Sequence, residues 1–282
     1  DLQSFLDLYY ACASVLLTEQ DFHDMAMAYF ERAVADHVVR AEAFFDPQTH
    51  TARGVPMATV IKGLQSAGQA AQARWGLSVD WILCFLRHLS EADALQTLAE
   101  ALPHREAFIG VGLDSGERGN PPSKFTQVFA RCRALGLHIV AHAGEEGSSA
   151  YIDQALNLLQ AERIDHGVRC TDDPDLVRRL ARQGTPLTVC PLSNTKLRVF
   201  DQMRDHNLPH LLSQGLCVMV NSDDPAYFGG YVNDNYRALM DAFPDLDAAS
   251  MHQLLRNSLT ASFAPQSQKA EWLSALDAAF AA

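Results

Sequence analysis

The sequence predicts an α/β fold, specifically a TIM-type (β/α)8 barrel, and three observations carry this prediction. Short apolar, β-branched runs alternate with longer segments of helical period along the 282 residues, which is the pattern of repeated βα units and a parallel sheet. Seven such units can be counted, and a barrel of this type typically has about 250 residues. No stretch rich in Gly, Pro or Ser separates the units, so we expect residues 1–282 to form a single domain.

The predicted strands are almost continuously apolar, without a clean alternation of polar and apolar residues. Strands of this kind are covered on both faces, as in a sheet flanked by helices. In chain order, the strands are predicted at Val38–Phe45, Ser78–Phe85, Phe108–Leu113, Leu137–Ala143, Arg163–Gly167, Pro186–Cys190 and Leu216–Asn221.

The helices between the strands have recognisable ends. Thr18 and Ser90 each precede an acidic residue by three positions, at Asp21 and Asp93, which is typical of a helix N-terminus. Pro174 is suited to the first turn of another helix. Glycines that end a helix just before the next strand are Gly136, Gly184 and Gly215.

The chain is one strand short of a closed barrel, and it ends in helices. A helical pattern begins directly at Leu2, so we expect the missing first strand to lie upstream of Asp1. After Tyr231 only helical periods follow, over Met251–Ser258 and Lys269–Phe280. The alternative is an open doubly wound sheet, but that fold favours a Gly-rich phosphate loop, and no GxGxxG or GxxxxGKS/T is present.

Composition and charge exclude several classes of protein. With 34 Asp and Glu against 22 Lys and Arg, the formal net charge is −12, which opposes binding to nucleic acid. No apolar run approaches the roughly 18 residues of a membrane-spanning helix. The six cysteines show no CxxC spacing and are expected to be reduced. We therefore expect a cytoplasmic protein with a small-molecule substrate and no membrane or nucleic-acid partner.

Polar side chains follow three of the predicted strands, at the ends where such barrels build their active sites. One strand leads into His142 and Glu145, a second ends at His166, and the last leads into Asp223 and Asp224. Neutral imidazole and carboxylate oxygens are good ligands for zinc. Because adjacent carboxylates diverge, one of the paired aspartates can hold a metal while the other binds substrate.

Other polar residues leave alternatives open. The strand at Phe108–Leu113 continues into Asp114 with no Lys, so no candidate for a carbamylated, metal-bridging lysine exists there and a single metal is expected. Backbone amides of residues 114–116 are candidates for contact with a heterocycle. His50 and His88 follow strands and are weaker candidates for the pocket. The remaining histidines on helices or loops are expected at the surface or in packing: His23, His37, His104, His206, His210 and His252.

Four segments resemble the adenosine/adenine deaminase family of the metal-dependent amidohydrolase superfamily. They are HAGEEG at 142–147, RIDHGVR at 163–169, CPLSNTKL at 190–197 and NSDDPAYFGGYV at 221–232. FFDPQTHTARG at 44–54 and FLRHLSE at 85–91 are closer to the members that act on the free base adenine. The resemblance extends over essentially the whole chain and implies an amidohydrolase barrel.

The resemblance implies an activity and a role for each site residue. The reaction would be zinc-dependent hydrolytic deamination of adenine to hypoxanthine and ammonia, a step of purine salvage. His142 and Asp223 would be ligands of one zinc ion. Glu145 would be the proton donor, His166 would orient and deprotonate the attacking water, and Asp224 would bind the imidazole-ring nitrogen of the purine.

The sequence departs from the family in one respect, which keeps alternatives open. The family carries an HxH pair on its first strand, and these 282 residues contain none. Since such zinc sites need at least three protein ligands, we expect the chain alone to bind zinc weakly and to be inactive. The alternatives are an adenosine deaminase, a different metal hydrolase acting on cyclic amides, or a non-catalytic purine-binding relic. Cytidine-type deaminases are excluded because their HxE and PCxxC motifs are absent.

Overall fold

The computed structural model describes residues 1–281, which contain seven strands and form two compact units. Every predicted strand is confirmed, and no strand end differs from its prediction by more than two residues. The first unit comprises residues 1–141 and 154–161, and the second comprises residues 142–153 and the chain from 162 onward.

In the first unit, strands pair in parallel in the order β1, β2, β3 and β4. Arg40 is in register with Ser78, Ile82 with Gly110, and Gly110 with His138. These strands are β1 Arg40–Phe45, β2 Ser78–Leu86, β3 Gly110–Asp114 and β4 His138–Ala143, of which the last two residues belong to the second unit. The helices are α1 Leu2–Ala13, α2 Glu19–Ala35, α3 Pro47–Thr51, α4 Met57–Trp75, α5 Glu91–Ala101 and α6 Thr126–Ala134, with 3-10 turns at Leu102–Ala107 and Pro122–Phe125 and a π turn at Ala155–Leu159.

Local sequence explains where these helices begin and how closely they pack. Thr18 and Ser90 cap α2 and α5 with reciprocal bonds to Asp21 and Asp93, as predicted. Helix α2 packs against α4 at Gly63, where a Cβ would overlap the carbonyl of Glu19. The core of this unit is aromatic and aliphatic, with Phe22, Phe30, Ile61, Ile82 and Leu83 almost fully buried.

In the second unit, β5, β6 and β7 also pair in parallel and in chain order. Ile164 is in register with Leu187, and Leu187 with Val218. The strands are β5 Arg163–His166, β6 Pro186–Val189 and β7 Cys217–Val220. The helices are α7 Ser149–Gln154, α8 Pro174–Gln183, α9 Pro191–Lys196, α10 Leu208–Ser213, α11 Pro225–Phe228, α12 Val232–Ala242, α13 Ala248–Ala261 and α14 Gln266–Ala281, with 3-10 turns at Val168–Asp172 and Met203–Asp205.

The predicted helix signals of this unit are confirmed. Asp173 caps α8, Pro174 occupies its first turn, and Gly184 ends it in the left-handed conformation. The predicted helical tail is present as α12 to α14. Helix α13 is bound to the sheet through Asn257, whose Nδ2 donates to the carbonyl of Val218 at 2.7 Å. No helix within residues 1–281 combines the length and the apolarity needed to cross a membrane.

Candidate active site

His166 lies at the centre of the predicted site residues, all of which are in the second unit. Its Nδ1 is 3.6 Å from Oε1 of Glu145, and its Nε2 is 3.7 Å from Oδ2 of Asp223. The ring centroids of His142 and His166 are 5.2 Å apart. The structure therefore brings together His142, Glu145, His166 and Asp223, which are separated by up to 81 positions in the sequence.

The backbone around these residues has unusual conformations. His166 and Asp223 have φ of 63° and 56°, in the left-handed region that non-glycine residues rarely adopt. Gly144 precedes Glu145 with φ of 71°, and Gly167 follows His166 with φ of 68°. Such backbone costs on the order of 1–3 kcal/mol at each non-glycine position, and it is concentrated at functional sites. Here the left-handed conformations change the direction of the chain at the ends of β4 and β5 and after β7, so that the side chains of the site residues converge.

A buried carboxylate lies next to the ring of His142. Asp165 is 2% exposed, and its Oδ2 lies 3.6 Å from Nδ1 of His142. Its Oδ1 accepts a hydrogen bond from Oγ1 of Thr188 at 2.7 Å. A metal-ligating histidine commonly directs its second ring nitrogen at a carboxylate, which fixes the ring and raises its basicity. The surroundings of His142 therefore fit a metal ligand, and Asp165 is a site residue that sequence reasoning did not single out.

Cys190 lies beside the predicted metal ligand Asp223. Ligand atoms of His166, Cys190 and Asp223 lie within 4.8 Å of one another, a spacing at which a metal ion can be held. Burial raises the pKa of the Cys190 thiol well above its usual range, and Asp223, Glu145, Asp165 and Asp224 raise it further. The cluster thus offers imidazole, thiol and carboxylate donors within reach of one ion.

Asp224 is placed beside the same cluster. It precedes helix α11 directly, and its carboxylate is one of the charges that act on Cys190. A carboxylate at this position can accept a hydrogen bond from a heterocyclic N–H.

Two polar residues beside His166 were not predicted as site residues, although one of them, Asn194, lies in the motif CPLSNTKL. Nδ2 of Asn194 is 3.2 Å from Nδ1 of His166, and Oδ1 of Asn194 is 3.3 Å from Nε2 of His206. His206 is 3% exposed and lies in a polar network, so the expectation that it has no polar cluster around it was wrong. No sequence signal links it to His166, since the two residues are joined only through a side chain on a third segment.

The remaining polar candidates lie in the first unit. His50 is buried in α3 and its Nδ1 is 2.9 Å from Nη2 of Arg53, while Nδ1 of His88 is 2.9 Å from Oγ of Ser115. Burial, followed by the nearby charge of Asp46, raises the pKa of Asp114 well above its usual range. The contact of backbone amides at 114–116 with a heterocycle stays a prediction.

Comparisons with known proteins show which family this chain is similar to. The sequence profile of the family described as "Adenosine deaminase" matches residues 1–279. A protein of Trichlorobacter lovleyi named "Adenine deaminase" is 64% identical over 280 residues, which are 99% of this chain and 80% of that protein.

Two solved structures are also similar. The crystal structure of an adenine deaminase from Arthrobacter aurescens matches with a TM-score of 0.98 and 49% identity, over 100% of this chain and 86% of that one. An amidohydrolase from Burkhoderia ambifaria, solved with bound Zn, has a TM-score of 0.88 and 26% identity over 94% of this chain and 74% of its own.

These similarities confirm the predicted fold class, the TIM-type α/β fold of the amidohydrolases, and the resemblance that the sequence motifs indicated. They also agree with the predicted dependence on a metal, since the family is one of metal-dependent hydrolases. The chain belongs to the adenosine deaminase family.

Proposed function

We propose that this chain catalyses the hydrolytic deamination of adenine. Water adds to the ring carbon that bears the amino group, ammonia leaves, and hypoxanthine is formed. The observation that carries this proposal is that His166 lies between two carboxylates, with its Nδ1 3.6 Å from Oε1 of Glu145 and its Nε2 3.7 Å from Oδ2 of Asp223. The 64% identity to a protein named "Adenine deaminase" supports adenine as the substrate.

We propose zinc as the metal, with one ion per chain, to which His142 and Asp223 supply two of the at least three protein ligands that such a site needs. The donor set of one imidazole and one carboxylate suits zinc, and the buried Asp165 behind His142 supports a ligand role for that ring. A zinc ion at this position would supply a Lewis acid that makes water nucleophilic near neutral pH.

In this proposal Glu145 is the general acid. The aromatic carbon under attack is a poor electrophile until the adjacent ring nitrogen is protonated, and proton transfer of this kind contributes about 10²- to 10⁴-fold to the rate. Glu145 is 4% exposed, so a proton that it carries is delivered to the substrate rather than exchanged freely with solvent. His166 would orient the attacking water beside Asp223, and Asp224 would accept a hydrogen bond from the imidazole ring of adenine.

We further propose that residues 1–282 act as a single catalytic domain and that the reaction takes place in the cytoplasm. All six cysteines are free, which suits a reducing compartment. The partner is a small-molecule purine, and the net charge of −12 supports the absence of nucleic-acid binding.

The test is the release of ammonia from adenine and from adenosine by a purified, zinc-loaded protein that carries the HxH pair of the family; without that pair we expect weak zinc binding and no activity. We expect adenine to be the faster substrate and Glu145→Gln to lower kcat by about 10²- to 10⁴-fold. Glu146→Gln is the matched control, because it changes the neighbouring carboxylate to which no role is assigned. Faster turnover of adenosine, or full activity of Glu145→Gln, would overturn the proposal.

A further inference from the structure

A continuous chain of hydrogen bonds runs from the backbone of Leu208 to the ring of His166. The N–H of Leu208 donates to Nδ1 of His206 at 3.0 Å. Nε2 of His206 is 3.3 Å from Oδ1 of Asn194, and Nδ2 of Asn194 is 3.2 Å from Nδ1 of His166. All of these residues lie in the second unit.

The direction of every bond follows from the first one. A backbone N–H can only donate, so Nδ1 of His206 must be the nitrogen with the free lone pair. Burial, followed by repulsion from His166 whenever that ring is protonated, lowers the pKa of His206 to about 3, so the His206 ring is neutral near pH 7 and its single proton is on Nε2. That N–H donates to Oδ1 of Asn194.

The orientation of the Asn194 amide is therefore determined as well. With its oxygen facing His206, its Nδ2–H group faces His166 and donates to Nδ1. The flipped amide would place an NH2 group against the Nε2–H of His206, where two donors would face each other. Asn194 and Leu208 are fully buried and His206 is 3% exposed, so water does not replace these bonds. Phe200 stacks on His206 with ring centroids 4.4 Å apart and restricts the ring.

We infer that Asn194 and His206 are positioning residues that select one tautomer of His166, in which Nδ1 accepts a hydrogen bond and Nε2 carries the proton. This inference rests on the proposed function and deepens the role of His166. The Nε2–H then points toward Asp223, whose Oδ2 is 3.7 Å away. In this tautomer His166 is a donor on the side of Asp223, so it orients and stabilises the oxygen that adds to the ring and does not remove the proton from water.

The decisive variant is Asn194→Asp, which has nearly the same shape. An aspartate oxygen still accepts from Nε2–H of His206, but the group that faces His166 becomes an acceptor and favours the opposite tautomer. We expect kcat for adenine to fall on the order of 10²-fold or more while KM changes little, as for other wrong-tautomer variants. His210→Gln, which alters an exposed histidine of α10, should leave kcat unchanged.

A second pair of variants separates positioning from folding. His206→Gln keeps an N–H donor near the position of Nε2, whereas His206→Phe removes it and retains bulk. We expect the phenylalanine variant to lose activity by about 10- to 100-fold, as for residues that support a site histidine, and the glutamine variant to recover most of that loss. Equal activity of the two variants at equal thermal stability would overturn the inference.

The spectroscopic test needs no substrate. Two-bond nitrogen–proton NMR correlations of histidine-labelled protein distinguish the two neutral tautomers, and the signal of His166 is assigned by its loss in His166→Gln. We expect the Nε2–H tautomer in the wild type and the Nδ1–H tautomer in Asn194→Asp. The Nδ1–H tautomer in the wild type would overturn the inference. If the protein is inactive on adenine but shows the expected tautomers, the proposed function fails while the inference stands.

Discussion

At the scale of single residues, the geometry indicates that Asp165 supports the proposed metal ligand His142 and is not itself a proposed ligand. It is buried, it is held by Thr188, and it faces the ring nitrogen of His142 at 3.6 Å. These contacts allow it to fix the ring of His142.

We predict that Asp165→Asn weakens zinc binding by about 10- to 100-fold, because the amide no longer orients His142 or raises its basicity. Competition with a zinc-binding dye measures the change in Kd. Asp153→Asn is the control, since Asp153 is a half-exposed carboxylate that pairs with Arg179 in the same unit. An unchanged Kd in Asp165→Asn would show that His142 does not depend on this support or does not bind the metal.

The buried His50 is expected to make the stability of the protein depend on pH. Burial, followed by the charge of Arg53, lowers the pKa of His50 from 6.5 to about 4. Its ring is packed edge-on against Phe22. Between these two pH values the unfolded chain binds a proton that the folded chain does not. The contribution of the neutral His50 to the free energy of unfolding is therefore complete above about pH 6.5, and it is lost as the pH falls toward about 4.

We expect His50→Asn to reduce the fall in the urea midpoint over this pH range, because the amide oxygen can accept from Arg53 and does not titrate. His37→Asn changes an exposed histidine, so its urea midpoint should fall with decreasing pH as much as that of the wild type. Denaturant titrations of the three proteins at several pH values measure the difference. If the urea midpoint of His50→Asn fell with pH as steeply as that of the wild type, the assignment of a neutral, buried His50 would be contradicted.

At the scale of elements, the turn after β4 determines where Glu145 lies. Gly144 has φ of 71°, and a Cβ on it would lie 2.8 Å from Cγ1 of Ile152 in α7. The residue thus needs both a left-handed backbone and the absence of a side chain. Gly184 at the end of α8 has a similar φ of 62°, but a Cβ there would meet nothing within 4 Å. The two glycines form a matched pair that separates backbone strain from steric overlap.

We predict that Gly184→Ala lowers the free energy of unfolding by about 1–2 kcal/mol, the cost of a left-handed alanine. Gly144→Ala should add an overpacking cost of roughly 1–3 kcal/mol and should also lower kcat, because the turn that carries Glu145 shifts. Chemical denaturation and the adenine assay measure the two effects. Equal destabilisation of the two variants, with kcat preserved, would contradict this account of the turn.

At the scale of the whole molecule, metal binding is linked to stability through the second unit. Both proposed ligands, His142 and Asp223, belong to it, together with Asp165, Asn194 and His206. A metal that binds only the folded state at about 100 times its Kd adds about 2.7 kcal/mol to the free energy of unfolding. The net charge of −12 also favours the approach of a divalent cation.

We predict that removal of zinc by a chelator lowers the thermal midpoint and speeds amide exchange at residues 142–153 and from 162 onward. Adding zinc back should restore both. Asp223→Asn should respond little to zinc, because it lacks one of the proposed ligands. Hydrogen exchange followed by mass spectrometry, with and without metal, provides the measurement, and an identical response of the wild type and Asp223→Asn would contradict the ligand assignment.

Much of the fold could be read from local patterns. Thr18, Ser90 and Pro174 marked helix starts that the structure confirms, because capping depends on residues within one turn. The seven predicted runs became strands because each is short and contributes buried residues to the sheet. The cluster of His142, Glu145, His166 and Asp223 could be anticipated because parallel strands end at the same edge of a sheet.

The sequence by itself determined the βα periodicity, the family and the residue types that carry the chemistry, since these depend on composition, spacing and motifs. Only the tertiary structure decided which buried polar group supports which histidine ring. The links from Leu208 through His206 and Asn194 to His166, and from Thr188 through Asp165 to His142, join segments whose contact leaves no trace in spacing. The physical reason is that hydrogen-bond direction depends on atoms brought within about 3 Å of one another, and only folding sets those distances.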